Sequence, residues 1–152
     1  MTTATLMNEQ AVSCLQDLIR VNIDSAEGFQ AAAELVEDDA IGAFFIRCSH
    51  ERDGYVEELS TLVEVNLVEP VASGSMTGQM HRWWMELRGN IQRGDEHAML
   101  AEAERGEDVI CVHYRTTLDQ VTGSPAHEMI ERQYREVRAC HDRIRELRDR
   151  SR

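Results

Sequence analysis

Apolar residues recur every three or four positions along four long stretches of the chain, a spacing typical of amphipathic α-helices. We label these stretches segment A (8–36), segment B (40–68), segment C (96–121) and segment D (125–150). None of them shows the strict alternation of apolar and polar residues that a half-buried strand requires. The pattern therefore predicts an all-α protein built from four long helices.

Two short joints predict how these helices are paired. The acidic turn Glu37-Asp38-Asp39 separates segment A from segment B, and Gly123-Ser124-Pro125 separates segment C from segment D. We expect Ser124 to be the N-cap of the last helix and Pro125 its first helical residue. Long helices joined by such short turns must lie side by side and antiparallel. The chain is therefore expected to form two helical hairpins.

The connection between segments B and C is longer and contains a helical pattern of its own. An amphipathic stretch over about 76–91 carries Trp83 and Trp84. A single long crossover between the second and third helices makes those two helices parallel, which is the ferritin-like arrangement. We therefore predict a ferritin-like four-helix bundle whose B–C crossover carries a short extra helix. Because both tryptophans lie outside the four-helix core, this helix either covers one flank of the bundle or joins a second subunit, and we favour the second arrangement, a homodimer.

Composition and charge narrow the range of functions. The 152 residues are enough for one domain with a substantial core, so we assign residues 1–152 to a single domain. No apolar run is long enough for a membrane span, and no signal peptide is evident, so we expect a cytoplasmic protein without a membrane partner. The net charge of −12 argues against a nucleic-acid partner. The basic residues are all arginines, which excludes Schiff-base chemistry and the lysine-containing phosphate loop.

Ionisable residues interrupt the apolar stripes at similar heights. Asn22 takes the central inward position of segment A. Counting about 100° per residue, Glu104 and Glu107 point inward from segment C and His141 points inward from segment D, while Glu51 lies at the edge of the segment B stripe. Counting along the helices from the joints places all four near the middle of the bundle. They are therefore the candidate site of this protein.

Buried carboxylates are costly unless a positive charge accompanies them, and two sources of that charge are available. One is a metal ion: iron, manganese or zinc would accept Glu51, Glu104, Glu107 and His141 as ligands. The other is Arg52, which could pair with the glutamates of segment C and form a metal-free charge network. Periodicity leaves both alternatives open.

Four stretches of the sequence also carry a resemblance to a known group of proteins. In chain order they are LQDLIRVNIDSAEGFQAAAE, SHERDGYVEEL, LAEAERGED and EMIERQYREVRACHDRIRELRD, which together extend over nearly the whole chain. They resemble a bacterial ferritin-like family known only as a domain of unknown function. The resemblance implies a ferritin-like four-helix fold and brings no established reaction.

The broader ferritin-like pattern of metal ligands is only partly present. That pattern has an inward Glu on two helices and Glu-x-x-His on the other two. Here Gly54 stands three residues after Glu51, and Arg138 stands three residues before His141. A mononuclear or vestigial metal site therefore agrees with the sequence better than a two-metal centre does.

Two functions follow from the sequence, and neither assigns an enzymatic reaction. The first is a metal-binding ferritin-like protein that acts in oxidative or metal stress. The second is a non-catalytic, dimeric structural or stress protein whose Glu, Arg and His side chains form a buried charge network.

Overall fold

A computed structural model describes residues 7–74 and 95–151 of the chain. These residues form four helices, α1 (Glu9–Leu35), α2 (Asp39–Val65), α3 (Glu96–Val121) and α4 (His127–Arg150). The prediction of an all-α four-helix bundle is confirmed, and α3 has the predicted bounds. The extra helix predicted over 76–91 lies outside the described residues. Within the described residues, no helix is both long enough and apolar enough to cross a membrane.

Side-chain caps fix the starts of the first three helices. Asn8, Asp38 and Asp95 each accept a hydrogen bond from the backbone N–H three residues further on, at 2.8, 3.0 and 3.1 Å. Each bond satisfies one of the N–H groups that the first turn of a helix leaves without an intrahelical partner. The caps explain why the sequence located these three starts to within one residue.

The start of α4 differs from the prediction. The Ser124 hydroxyl accepts a hydrogen bond from the backbone N–H of Ala126 at 2.9 Å, and Ala126, not Ser124, is the N-cap. Ser124 thus closes a tight turn in front of the helix, where Gly123 adopts a positive φ of 79° that suits glycine. The helix consequently begins at His127, after Pro125.

Contacts at the two ends of the bundle give the directions of the helices. The Glu96 carboxylate, at the start of α3, accepts hydrogen bonds from the backbone N–H groups of Glu37 and Asp38, at 3.0 and 3.3 Å. Both α2 and α3 therefore begin at the turn that joins α1 to α2, and they run parallel as predicted. At the opposite end, the backbone N–H of Met7 donates to the side chain of Asn66 at 2.7 Å.

The four helices form a ring in which α2 and α3 face each other across the centre. Closely packed pairs are α1 with α2, α3 with α4, and α1 with α3. The fourth side of the ring is closed by side chains, for example the Tyr55 hydroxyl of α2, which donates to Glu136 of α4 at 2.7 Å. A contact between α2 and α3 must therefore cross the middle of the bundle.

The apolar core is divided into two clusters by a layer of buried polar residues. One cluster lies toward the start of α1 and includes Leu15, Leu59, Tyr114 and Ile130. The other lies toward the end of α1 and includes Phe29, Phe45, Leu100 and Ile144. The polar side chains of the layer are Asn22, Ser25, Ser49, Arg52, Glu107 and Gln133. A polar layer therefore lies midway along the bundle, and of the four predicted ligands Glu107 belongs to it.

The inward face of α2 is rotated relative to the predicted stripe. Its buried residues include Cys48, Arg52, Tyr55 and Leu59, whereas Glu51 is exposed. Spacings of four, three and four residues keep these positions on one side of a helix, and Glu51 lies about 100° away from Arg52. Glu51 is therefore a surface residue because its neighbour Arg52 takes the inward position.

Candidate functional site

The centre of the polar layer is an ion pair between Arg52 of α2 and Glu107 of α3. Two parallel hydrogen bonds join them, from Nη1 to Oε1 at 2.8 Å and from Nη2 to Oε2 at 2.7 Å. The side chains are 0% and 1% exposed. This bidentate geometry is the strongest form of an arginine–carboxylate contact, and it uses both oxygens of Glu107. The predicted inward position of Glu107 is correct, and its partner is a guanidinium.

The surroundings of Arg52 favour a charged guanidinium. Burial is the largest single influence and acts to lower the pKa of Arg52, but the charge and hydrogen bonds of Glu107, together with Cys140 and Cys48, hold that pKa well above its ordinary value. The guanidinium carbon also lies 5.3 Å from the centroid of the Phe29 ring, within the range of a cation–π contact. Nη1 makes a further, longer contact of 3.4 Å with the Ser25 hydroxyl. In the described part of the chain, Nε of Arg52 has no hydrogen-bond acceptor.

A chain of hydrogen bonds links the buried side chains of Asn22 and Gln133 and touches all four helices. The amide of Asn22 donates to the Tyr114 hydroxyl at 3.0 Å, that hydroxyl donates to Gln133 at 2.8 Å, and the Gln133 amide donates to Glu58 at 3.0 Å. Arg132 then pairs with Glu58 at the surface. Burial raises the pKa of Tyr114, so its hydroxyl keeps the proton that it donates. The inward position of Asn22 was predicted, whereas this chain was not.

His141 belongs to a separate cluster near the surface between α3 and α4. Its Nε2 lies 2.7 Å from Asp108 and 3.8 Å from Glu104. The side chains of His141 and Glu104 are 13% and 12% exposed, while Asp108 is 66% exposed. Arg148 also pairs with the Glu104 carboxylate. This cluster brings two of the four predicted ligands close together, and an arginine already neutralises one of them.

Glu51 lines a groove between α2 and α4. The groove has a volume of about 310 Å³, and Glu136 lines it as well, together with the two cysteines Cys48 and Cys140. Partial burial of the carboxyl group raises the pKa of Glu51, and Arg52 opposes that rise. The structure therefore places Glu51 in a surface groove and not in the interior of the bundle.

The four predicted ligands thus take part in three different sets of interactions. Glu107 pairs with Arg52, Glu104 and His141 lie together near Arg148, and Glu51 faces the groove. Within residues 7–74 and 95–151, no three or more His, Cys, Asp or Glu side chains are grouped so that they could hold a metal ion. What this layer can do chemically is hold charge: its central pair is closed to solvent and carries no free acid or base.

Sequence reasoning missed a contact between two cysteines. The sulfur atoms of Cys48 on α2 and Cys140 on α4 lie 3.0 Å apart. The positions of the two cysteines relative to their helix ends could have indicated this contact. Cys48 comes nine residues after the start of α2 at Asp39, Cys140 comes ten residues before the end of α4 at Arg150, and these helix ends lie at the same end of the bundle. Equal heights on adjacent antiparallel helices put the two side chains at one level.

A comparison with known families places the chain in one of them. The pattern of a family described as a domain of unknown function (DUF2383) matches residues 10–120, and the chain belongs to this family. The match includes α1, α2 and nearly all of α3, and therefore both members of the Arg52–Glu107 pair. No curated protein matches the chain.

Proposed function

We propose that this member of the family is a non-catalytic structural protein whose mid-bundle layer is a metal-free charge network. The observation that carries the proposal is the bidentate pair of Arg52 and Glu107, which are 0% and 1% exposed. The guanidinium supplies the positive charge that a buried carboxylate needs, so no cation from solution is required. Both oxygens of Glu107 are occupied, and a metal would have to displace Arg52 to reach them.

The hydrogen-bond chain through Tyr114 supports the same proposal. Its buried members hydrogen-bond to one another across three helices, from Asn22 of α1 through Tyr114 of α3 to Gln133 of α4. A catalytic site needs a reactive group that a substrate can reach, whereas these side chains are fully buried. A buried hydrogen-bond network favours one packing arrangement of the helices. We infer that the layer serves to hold the four helices together.

Metal binding is the competing function, and one observation favours it. Glu104 and His141 lie 3.8 Å apart on adjacent helices, and both are largely shielded. Iron, manganese and zinc accept this combination of carboxylate and imidazole. In this alternative Glu104 and His141 are ligands together with Glu51 and Glu107, and the protein acts in oxidative or metal stress. It ranks second because Arg148 neutralises Glu104 and Arg52 neutralises Glu107.

Metal analysis of the purified full chain separates the two functions. The protein is isolated without chelator, its iron, manganese and zinc content is measured by plasma mass spectrometry, and its melting temperature is recorded with and without each added metal. The charge network predicts substoichiometric metal and an unchanged melting temperature. One metal ion per chain would overturn the proposal if it is lost in a Glu104→Gln, His141→Asn variant and retained in Asp119→Asn, a control on the exposed side of α3.

Homodimer formation and a cytoplasmic location are further parts of the proposal. The adjacent residues Trp83 and Trp84 in an amphipathic stretch support a subunit contact, and they lie outside the described residues. The four cysteines are free in the structure, which agrees with a reducing compartment.

A further inference from the structure

Cys48 and Cys140 form a thiol pair that joins two helices. Their Sγ atoms are 3.0 Å apart although the residues are separated by 92 positions in the chain. They are 2% and 6% exposed and border the apolar cluster that contains Phe29. A small inward movement of either side chain would bring the sulfur atoms to the length of a disulfide bond, which is about 2.05 Å.

The groove between α2 and α4 gives a small molecule access to this pair. Both cysteines line it, and its volume is about 310 Å³. A water molecule occupies about 30 Å³ of liquid, so a hydroperoxide, which carries two oxygen atoms in place of one, fits easily. Arginine side chains, Arg47 and Arg143, also line the groove. The thiols are therefore buried without being sealed from solvent.

The two thiols have interchangeable roles in their hydrogen bond. Either Sγ can donate its S–H to the other, so either sulfur can be the acceptor. The positive charge of Arg52 interacts with both thiols and favours negative charge at this place. The sulfur that accepts the hydrogen bond is the nucleophile of the pair.

We propose that Cys48 and Cys140 are an oxidative modification site at which a hydroperoxide in the groove produces a disulfide between α2 and α4. One sulfur of the pair gives up its proton and attacks one peroxide oxygen, the O–O bond breaks, and the departing oxygen takes up a proton, which leaves a sulfenic acid on that cysteine. The sulfur of the other cysteine then attacks this oxidised sulfur, the S–O bond breaks, and water leaves with the proton of the second thiol. Two thiols are oxidised by two electrons, and hydrogen peroxide is reduced to two water molecules.

This disulfide would join the two neighbouring helices whose backbones pack least closely. The closely packed pairs are α1 with α2, α3 with α4 and α1 with α3, while α2 and α4 meet through side chains. The new bond would close a loop over the 92-position separation. Loops of this length give large stabilisation in the chain-entropy description, and for a domain of this size we expect a rise in melting temperature of roughly 5–15 °C.

The test uses the reduced full-length protein and hydrogen peroxide at a low molar excess. After quenching, free thiols are counted in denaturant, the intact mass is measured, and a non-reducing proteolytic digest is analysed by mass spectrometry. We expect two of the four thiols to disappear, the mass to fall by two hydrogen atoms, and one linked peptide pair to contain Cys48 and Cys140. Dithiothreitol should restore the thiols and the original melting temperature.

Single substitutions supply matched controls. Cys48→Ala and Cys140→Ala should abolish the linked peptides and the rise in melting temperature, whereas Cys14→Ala and Cys111→Ala should keep both. The wild-type peptide map needs no variant, so the test stands even if a substitution prevents folding. The proposal is overturned if all four thiols survive, if Cys48 ends as sulfinic acid, or if the links involve Cys14 or Cys111 or a second chain.

Discussion

Replacing the two members of the central ion pair, separately and together, tests the charge network most directly. Arg52→Met keeps an unbranched chain in the core but removes the guanidinium, and Glu107→Leu removes the carboxylate. Each single variant leaves one buried charged residue without its partner, at 0% or 1% exposure. The double variant Arg52→Met, Glu107→Leu leaves two apolar side chains facing each other.

The expected loss in free energy of unfolding follows from the burial of the pair and from its two hydrogen bonds of 2.8 and 2.7 Å, which the variants lack. Removing one partner of a buried pair costs about 3–5 kcal/mol, because the other charge stays behind without compensation. A domain of this size has a total stability of about 5–15 kcal/mol, so each single variant should lose a large part of it. Replacing both partners by apolar residues is expected to be neutral or to stabilise the fold by up to about 4 kcal/mol.

The assay is urea unfolding followed by far-UV circular dichroism, repeated between pH 5 and pH 7. In Arg52→Met, the unpaired carboxyl group of residue 107 should take up a proton on folding, so the folded state binds more protons than the unfolded state. Stability of that variant should then fall as the pH rises, by up to about 1.4 kcal/mol per pH unit. Arg135→Met is the matched control, because Arg135 pairs with Glu131 at the exposed surface.

Either of two results would refute the reasoning. If Arg52→Met unfolds at the wild-type urea concentration, the guanidinium is not the required counter-charge. If the double variant is as unstable as the sum of the single variants, the two side chains do not act as a pair. A control that loses as much stability as Arg52→Met would point to a general effect of removing arginine.

Three further predictions concern other parts of the chain. Tyr114→Phe removes the buried hydroxyl that donates to Gln133 at 2.8 Å, and it should cost about 1–3 kcal/mol in urea unfolding. Gly54→Ala should stabilise the protein by about 0.5–1 kcal/mol, since Gly54 lies inside α2 and an added Cβ meets no atom within 4 Å. Replacing Trp83 and Trp84 by alanine should convert the predicted homodimer into a folded monomer, as measured by light scattering after gel filtration.

Each of these predictions has a result that contradicts it. A Tyr114→Phe variant with wild-type stability would mean that the hydrogen-bond chain contributes nothing. A Gly54→Ala variant that is less stable than the wild type would mean that another atom lies close to position 54. An unchanged oligomeric state after replacement of the two tryptophans would mean that the subunit contact lies elsewhere. Tyr134→Phe is the control for Tyr114→Phe, because the Tyr134 hydroxyl contacts exposed arginines.

Helix bounds and the height of the polar layer could be predicted because they depend on local signals. Capping residues such as Asp95 and breaks in periodicity mark helix ends, and the rise per residue converts sequence distance into height. The inward positions of Asn22 and Glu107 followed from the same counting. These features need no information about which helix lies opposite.

Partners within the layer could not be predicted, because periodicity does not state which side chains meet. Arg52 stands four residues after Cys48 and three before Tyr55, at a central inward position, although arginine is seldom fully buried. Periodicity placed Glu51 at the edge of this stripe and left the inward position of Arg52 unrecognised. The contact between Cys48 and Cys140 depends on how two neighbouring helices are rotated about their axes. That rotation is fixed by the packing of the whole bundle.

The Arg52–Glu107 pair also constrains how the two hairpins can dock. The residues belong to different hairpins, 55 positions apart, and the guanidinium crosses the bundle centre to reach its carboxylate. If one hairpin slid along the other by a single helical turn, about 5.4 Å, Arg52 would face an apolar cluster and Glu107 would lose the guanidinium that neutralises it. Such a misaligned assembly would leave two charged side chains buried without partners. The free-energy cost of that burial disfavours the misaligned assembly, and the native alignment is favoured as a result.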